Sequence, residues 1–200
     1  MNLSQLKDEM VEVIKAYNHK GWSPATSTNY SFKDHSGQIW VTRSGIDKAL
    51  VTANDFIKVS PDGESEGEHR NIAPSAETSI HCVIYALFPE ANFILHSHGP
   101  YPVLMSSKLS HEFIVDGYEI QKGFSGVKSH EGKCIVPIFP NNQEMSFFRQ
   151  ELTYRKMQLN LSCFLIKKHG TYAWGKSLFE AKRHLETLDY LCQCEFLNSK

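Results

Sequence analysis

The chain has 200 residues, 41% hydrophobic and 22% charged, with a formal net charge of −1. That length and composition suit an ordinary globular protein with one core, read here as a single domain over residues 1–200. The near-neutral balance removes the usual reason to expect nucleic acid or an acidic membrane surface as partner, and no apolar run approaches the roughly 20 residues that span a bilayer.

Residues 4–20 read as the first helix, with Ser4 as its cap, Leu6, Met10, Val13, Ile14 and Tyr17 on one face, and Gly21 as its stop. Strand-like runs follow at "NYSFK" and "IWVTR", separated by the turn signal Asp34-His35-Ser36-Gly37. A third, "DFIKVS", leads to Asp62-Gly63, and "EGEHRNIAP" is a loop. Pro74-Ser75 opens a helix to about Phe88, and the apolar run of "ANFILHSHG" is the next strand. A helix around 101–108, a strand "EFIVD", a Gly-rich passage from Gly117 to Gly126 and a strand "CIVPIF" come next. A long helix over roughly 142–158 and a strand in "SCFLIKK" precede the last helix. Ser177 and Glu180 open that helix as a capping box, and it carries Leu185, Leu188 and Leu191 inward. Interleaved strands and helices with several hairpin-like pairs predict a three-layer α/β/α domain with a mostly antiparallel sheet.

The five cysteines (Cys82, Cys134, Cys163, Cys192 and Cys194) are odd in number, scattered, and form no CxxC pair. They read as buried, reduced thiols. With a charged, amphipathic N-terminus that does not resemble a secretory signal, this points to the cytoplasm. The sequons at Asn29 and Asn160 would then carry no sugar.

The chemistry is concentrated in "HSH". Residues two apart on a strand share a face, so His96 and His98 would project together. Two neutral imidazoles supply half of a tetrahedral metal shell. The pair alone is a weak signal, since ten histidines in this chain produce an HxH by chance about half the time. A second strand ends in His169-Gly170, and three histidines with an open fourth position form a catalytic rather than a structural arrangement. Spacing alone does not establish that the two strand ends meet. His19, His35, His69, His111, His130 and His184 read as solvated surface or loop groups, and His81 as a structural helix residue.

Five stretches then form a pattern in order: "PATSTN" (24–29), "TRSG" (42–45), "PSAET" (74–78), "HSH" (96–98) and "HGTYAWGKSLFEAKRHLE" (169–186). They resemble the class II aldolase/adducin family over nearly the whole chain. "PATSTN", "YEIQKG" (118–123) and the last stretch are most similar to its methylthioribulose-1-phosphate dehydratase branch, in methionine salvage. The resemblance implies one Zn2+ per subunit on His96, His98 and His169. It also implies phosphate binding by the loops around Thr26, Ser27, Asn29, Ser44, Gly45 and Ser75. Hydroxyls and backbone N–H groups of a Ser-Gly turn and of Ser75 at a helix start suit an anion, and Arg43 and Lys48 are possible sources of positive charge.

Glu119 in "YEIQKG" matches the dehydratase acid/base position and ranks first for proton transfer. Glu77 in "PSAET" matches the aldolase carboxylate and ranks second, as helper or fourth ligand. Phe124, Tyr118 and Tyr101 are candidates for an apolar wall. Thr28 and Arg43 stand where many relatives carry smaller residues. The resemblance further implies a homo-oligomer, commonly a tetramer with sites near subunit boundaries. A class II sugar-phosphate aldolase or epimerase remains the alternative, and a non-catalytic adducin-like interaction domain is disfavoured by the presence of all three histidines.

Overall fold

A computed structural model describes residues 2–199. Its elements in chain order are α1 (Leu3–His19), β1 (Asn29–Lys33), β2 (Ile39–Thr42), β3 (Phe56–Val59), α2 (Thr78–Leu87), β4 (Phe93–Ser97) and α3 (Pro100–Lys108). They continue with β5 (Glu112–Asp116), β6 (Lys133–Phe139), α4 (Met145–Tyr154), β7 (Cys163–Ile166), β8 (Gly170–Gly175) and α5 (Leu178–Asn198). The strands form one sheet in the order β3-β2-β1-β4-β8-β7-β6-β5, antiparallel everywhere except between β6 and β7. This is the expected α/β class with a mostly antiparallel sheet.

Helices cover both faces because the central strands alternate between two cores. On β4, Phe93 and Leu95 join α1 and α5 while Ile94 joins α2 and α4; on β7, Cys163 and Leu165 divide from Phe164 and Ile166 in the same way. Leu185, Leu188 and Leu191 of α5 are fully buried in the first core, each contributing about 1.5–3 kcal/mol of burial.

Several boundaries differ from those read off the sequence. Asn2, not Ser4, caps α1: its side chain accepts from the Gln5 N–H while Gln5 returns a bond to the Asn2 N–H. The helix after Pro74-Ser75 begins only at Thr78, because residues 74–75 are drawn into bridges with β2: Arg43 pairs with Pro74, and the Ser75 N–H donates to the Thr42 carbonyl. The fourth helix is shorter than expected, breaking at Arg155 into a 3-10 turn over Lys156–Gln158. β8 was not anticipated. Its six residues, "GTYAWG", are buried throughout, and glycines at both ends weaken the strand signal.

All four cysteines other than Cys194 are buried, and all five are free. Asn29, one of the two sequons, is buried. His184 is buried rather than solvated, its Nδ1–H donating to the Trp174 carbonyl at 2.7 Å. No helix among the described residues is long and apolar enough to cross a membrane.

Candidate metal centre and anion cleft

Neighbouring strands place a row of polar residues on one face of the sheet. Asn29 on β1 lies opposite His96 on β4, which lies opposite Tyr172 on β8. Tyr172 stacks on the His96 ring at 4.1 Å and on Phe164 at 5.1 Å, which fixes the imidazole plane. His98 lies just past the end of β4, where its N–H donates to the Trp22 carbonyl. His169 ends the turn from β7 to β8, and Lys168 before it adopts a positive φ of 57°.

The three histidines meet. One ligand nitrogen from each of His96, His98 and His169 lies within 4.8 Å of the others, and Nε2 of His96 is 2.8 Å from Nε2 of His98. The structure thus brings the two strand ends together, a point that sequence spacing left open.

Gly170 makes this approach possible. A Cβ there would stand 2.1 Å from the Ser97 carbonyl oxygen and 3.0 Å from the His98 ring. Gly170→Ala is therefore expected to lower stability by about 3 kcal/mol, roughly 10 °C in Tm, as backbone moves to relieve the overlap. A thermal melt matching that of the wild type would show that the approach is looser than this.

The ring tautomers follow from their outer partners. His96 Nδ1–H donates to the Thr171 carbonyl at 2.9 Å, and His169 Nδ1–H donates to Asn141 Oδ1 at 3.2 Å. Each Nε2 then carries a lone pair. Burial, followed by the neighbouring rings of His98 and His169, holds the His96 pKa well below its ordinary value. Burial also brings His98 down to about 4. Glu77 faces the same point, with Oε2 3.2 Å from His96 Nε2 and Oε1 3.3 Å from His169 Nε2. The Nε2 lone pairs of His96 and His169 and the Glu77 carboxylate thus converge on one point, and a divalent cation is the group that would accept them together. The donor set fits a metal: three imidazoles with a carboxylate beside them.

Glu77 is itself held by a relay. Tyr172 O–H donates to Oε2 at 2.9 Å and Asn29 Nδ2–H at 2.8 Å. Asn29 Oδ1 is hydrogen-bonded to His81 Nε2, His81 Nδ1 to Ser31 Oγ at 2.7 Å, and Ser31 Oγ to Tyr85 O–H at 2.9 Å. His81 is thus structural in the sense of orienting the carboxylate, and Asn29 spends its amide here rather than on an anion.

Burial depresses the His81 pKa to about 4, whereas the unfolded chain titrates near 6.5. Between those values the unfolded state binds a proton that the folded state refuses. Stability is therefore fully present above about pH 6.5 and falls as pH drops toward 4, by about 3 kcal/mol from this group. Urea midpoints from pH 7.5 to 4.5 should fall more steeply for wild type than for His81→Gln; equal slopes would remove His81 from the acid sensitivity.

A cleft of about 390 Å³ opens beside the histidines, lined by Thr26, Ser27, Thr28, Asn29, Arg43, Ser44, Gly45, Lys48, Ser75, Glu77, His98 and His169. It contains every residue expected to bind phosphate. Asn142 and Gln143 also line it; they and Asn141 come from the β6–α4 loop, whose polar "NNQ" carries no sequence motif. A larger hollow of about 700 Å³, lined in part by Leu6, His35 and Phe179, holds none of the three histidines.

Several expectations need correction. The Ser44 N–H donates to the Ala73 carbonyl and the Ser75 N–H to the Thr42 carbonyl, so these two serines face an anion with hydroxyls only. Arg43 Nε is bound to Asp55 Oδ1 at 2.7 Å, an ion pair that offsets its charge. Thr28 sits at φ 70°, in the left-handed region that favours glycine, and its hydroxyl turns back to Ser23.

Glu119 is not among the cleft residues. It lies on a 3-10 turn (Glu119–Gly123) anchored against α5, with its side chain 70% exposed. Lys122 is paired with it and holds its carboxyl below the usual range, and His130 Nδ1 lies 3.4 Å away. Nor do the aromatic candidates form a cleft wall. Phe124 is buried in the α1–α5 core, Tyr118 donates its hydroxyl to Glu195, and Tyr101 packs on Phe196.

The chain resembles known proteins along nearly its whole length. Residues 8–196 match the family described as Class II Aldolase and Adducin N-terminal domain. A protein named methylthioribulose-1-phosphate dehydratase from a Picosynechococcus species is 44% identical over 191 residues, covering 94% of this chain and 90% of its own. One of the same name from Yersinia enterocolitica is 42% identical over 178 residues, covering 88% and 84%. Among solved structures, L-fuculose-1-phosphate aldolase from Thermus thermophilus superposes with a TM-score of 0.76 at 20% identity, covering 99% of this chain and 97% of that one. A match over nearly every residue, joined to the same overall fold, leaves one conclusion about descent: the chain belongs to the class II aldolase and adducin family.

Proposed function

We propose that the chain is a metal-dependent dehydratase that removes water from 5-methylthioribulose 1-phosphate to give 2,3-diketo-5-methylthiopentyl 1-phosphate. The observation carrying this reading is the 44% identity, over nine-tenths of both chains, with a protein named for that reaction. His96, His98 and His169 hold the ion, zinc by the family resemblance. When bound, it supplies a Lewis acid that polarises the C2 ketone and acidifies the proton on C3.

The chain's own groups do the rest. Hydroxyls of Thr26, Ser44 and Ser75, with the turn at Gly45, receive the phosphate and fix the sugar's register along the cleft, whereas the Ser27 hydroxyl is spent on the Pro24 carbonyl at 2.6 Å. The reaction takes a proton from C3 and expels the C4 hydroxyl, which leaves as water only if an acid supplies a proton. The resulting enol ketonises at C3. Glu77, oriented by Asn29 and Tyr172, is the carboxylate this chain brings to its own histidines. Glu119 keeps the principal acid/base role by being delivered from a neighbouring copy in a homo-oligomer, a tetramer in this reading. Its exposure fits that role, as does the surface beside it, where Ile120, Phe179 and Tyr190 are 41%, 71% and 54% exposed. Docking would exclude water and replace the Lys122 pairing, raising the carboxyl into the range of a proton donor. The five free thiols suit the cytoplasm.

The test is to incubate the metal-loaded protein separately with 5-methylthioribulose 1-phosphate and with L-fuculose 1-phosphate. Diketone from the first supports the reading. Dihydroxyacetone phosphate from the second, with no diketone from the first, makes the protein an aldolase instead.

A further inference from the structure

We propose that Lys48 is the residue by which the cleft selects substrates carrying a phosphate dianion over uncharged sugars. This rests on the reading of the cleft as a phosphate site and adds to it the source of the counter-charge.

Lys48 is 1% exposed, and no other lysine among the described residues is buried. Its Nζ donates to the Ile46 carbonyl at 3.2 Å and more loosely to the Thr26 carbonyl at 3.4 Å. An ammonium has three protons, so one is left over. Among the described residues no carboxylate forms an ion pair with it: Asp55, the acid across the turn, is taken up by Arg43 and Thr52. A buried charge without a partner is costly, and a chain that keeps one places it where a ligand of opposite sign arrives.

The same cleft offers that ligand little other charge. Ser44, Ser75 and Thr26 present neutral hydroxyls, the N–H groups of Ser27, Ser44 and Ser75 are committed to carbonyls, and Arg43 is ion-paired through Nε with Asp55. Burial lowers the Lys48 pKa to about 8, against the pull of Asp47 and Asp55, so the side chain is still charged at neutral pH. The two carbonyls tether Nζ between the 24–28 loop and the 44–48 turn, the segments that carry the Thr26 and Ser44 hydroxyls. One cation therefore meets the anion with its position already set, and the neutral donors supply shape around it.

A purely structural lysine, one that only knits these loops together, would affect every substrate alike. The experiment separates the two roles with full-length, metal-loaded Lys48→Met and Lys48→Gln. Inorganic phosphate is titrated calorimetrically, and kinetics are run on 5-methylthioribulose 1-phosphate and on the unphosphorylated ketose. The expected result is a 30- to 100-fold (roughly) weaker Kd for inorganic phosphate and a matching rise in KM for the phosphorylated substrate. The preference for phosphorylated over unphosphorylated ketose should shrink by the same factor. Wild-type phosphate affinity in the variants, or an equal loss on both ketoses, overturns the proposal.

Should neither variant fold, a wild-type crystal soaked in inorganic phosphate decides. The anion within about 3 Å of Nζ supports the assignment, and an anion seated elsewhere overturns it. Phosphate bound through Lys48 in a protein that dehydrates no methylthioribulose phosphate would leave Lys48 standing and remove only the proposed substrate.

Discussion

Replacing His96 with alanine is expected to remove bound metal and turnover together, the latter by roughly 10³-fold or more, since the Lewis acid contributes several kcal/mol to the barrier. The argument is geometric. His96 is fully buried, its ring plane set by the Tyr172 stack and its tautomer by the Thr171 carbonyl, so its lone pair has one direction to point. The variant also leaves a cavity in the sheet, so a fall in Tm alone would prove nothing. His169→Ala is the companion experiment: its ring sits at the end of the β7–β8 turn with 17% of the side chain exposed, and its loss should empty the site at a smaller cost in stability. Elemental analysis beside the activity assay reads both. A folded His96→Ala protein that retains its metal and its turnover discards the ligand assignment.

Glu119→Gln should keep the metal and lower turnover by about 10²–10⁴-fold, the usual contribution of a general acid or base. Because Glu119 is absent from its own chain's cleft, a sharper result is expected from mixing. Glu119→Gln and His96→Ala subunits are each inactive alone. Reassembled together in equal amounts, they should recover up to about a quarter of wild-type activity, since in a closed homo-oligomer one site in four draws both intact residues from different copies. No recovery would confine the reaction to one chain. Unchanged turnover in Glu119→Gln would transfer the proton to Glu77.

The contrast between these two glutamates shows how far local pattern reaches. Both stand in short polar motifs that resemblance can match, and nothing in either motif says which cleft it enters. Glu77 meets His96 and His169 because β1 and β8 flank β4, a placement set by long-range sheet pairing. Glu119 is carried away from that end by the packing of its turn on α5. Lys48 makes the same point for charge. In sequence it is one ordinary lysine beside an arginine a few residues away. Only the Arg43–Asp55 pair and the burial of Nζ show which of the two cations is left unpaired.

By itself the sequence determined the alternation of strands and helices, the α/β class, the apolar faces of α1 and α5, and the residues able to bind a metal, because side-chain period and ligand chemistry are local properties. The tertiary structure decided that three imidazoles from two strand ends meet, that β8 supplies the Tyr172 stacked on His96, and that Glu119 lies outside its own chain's cleft. Those depend on strand order and close backbone approach, as at Gly170, which arise from contacts between residues far apart in the chain and leave no periodic trace in it.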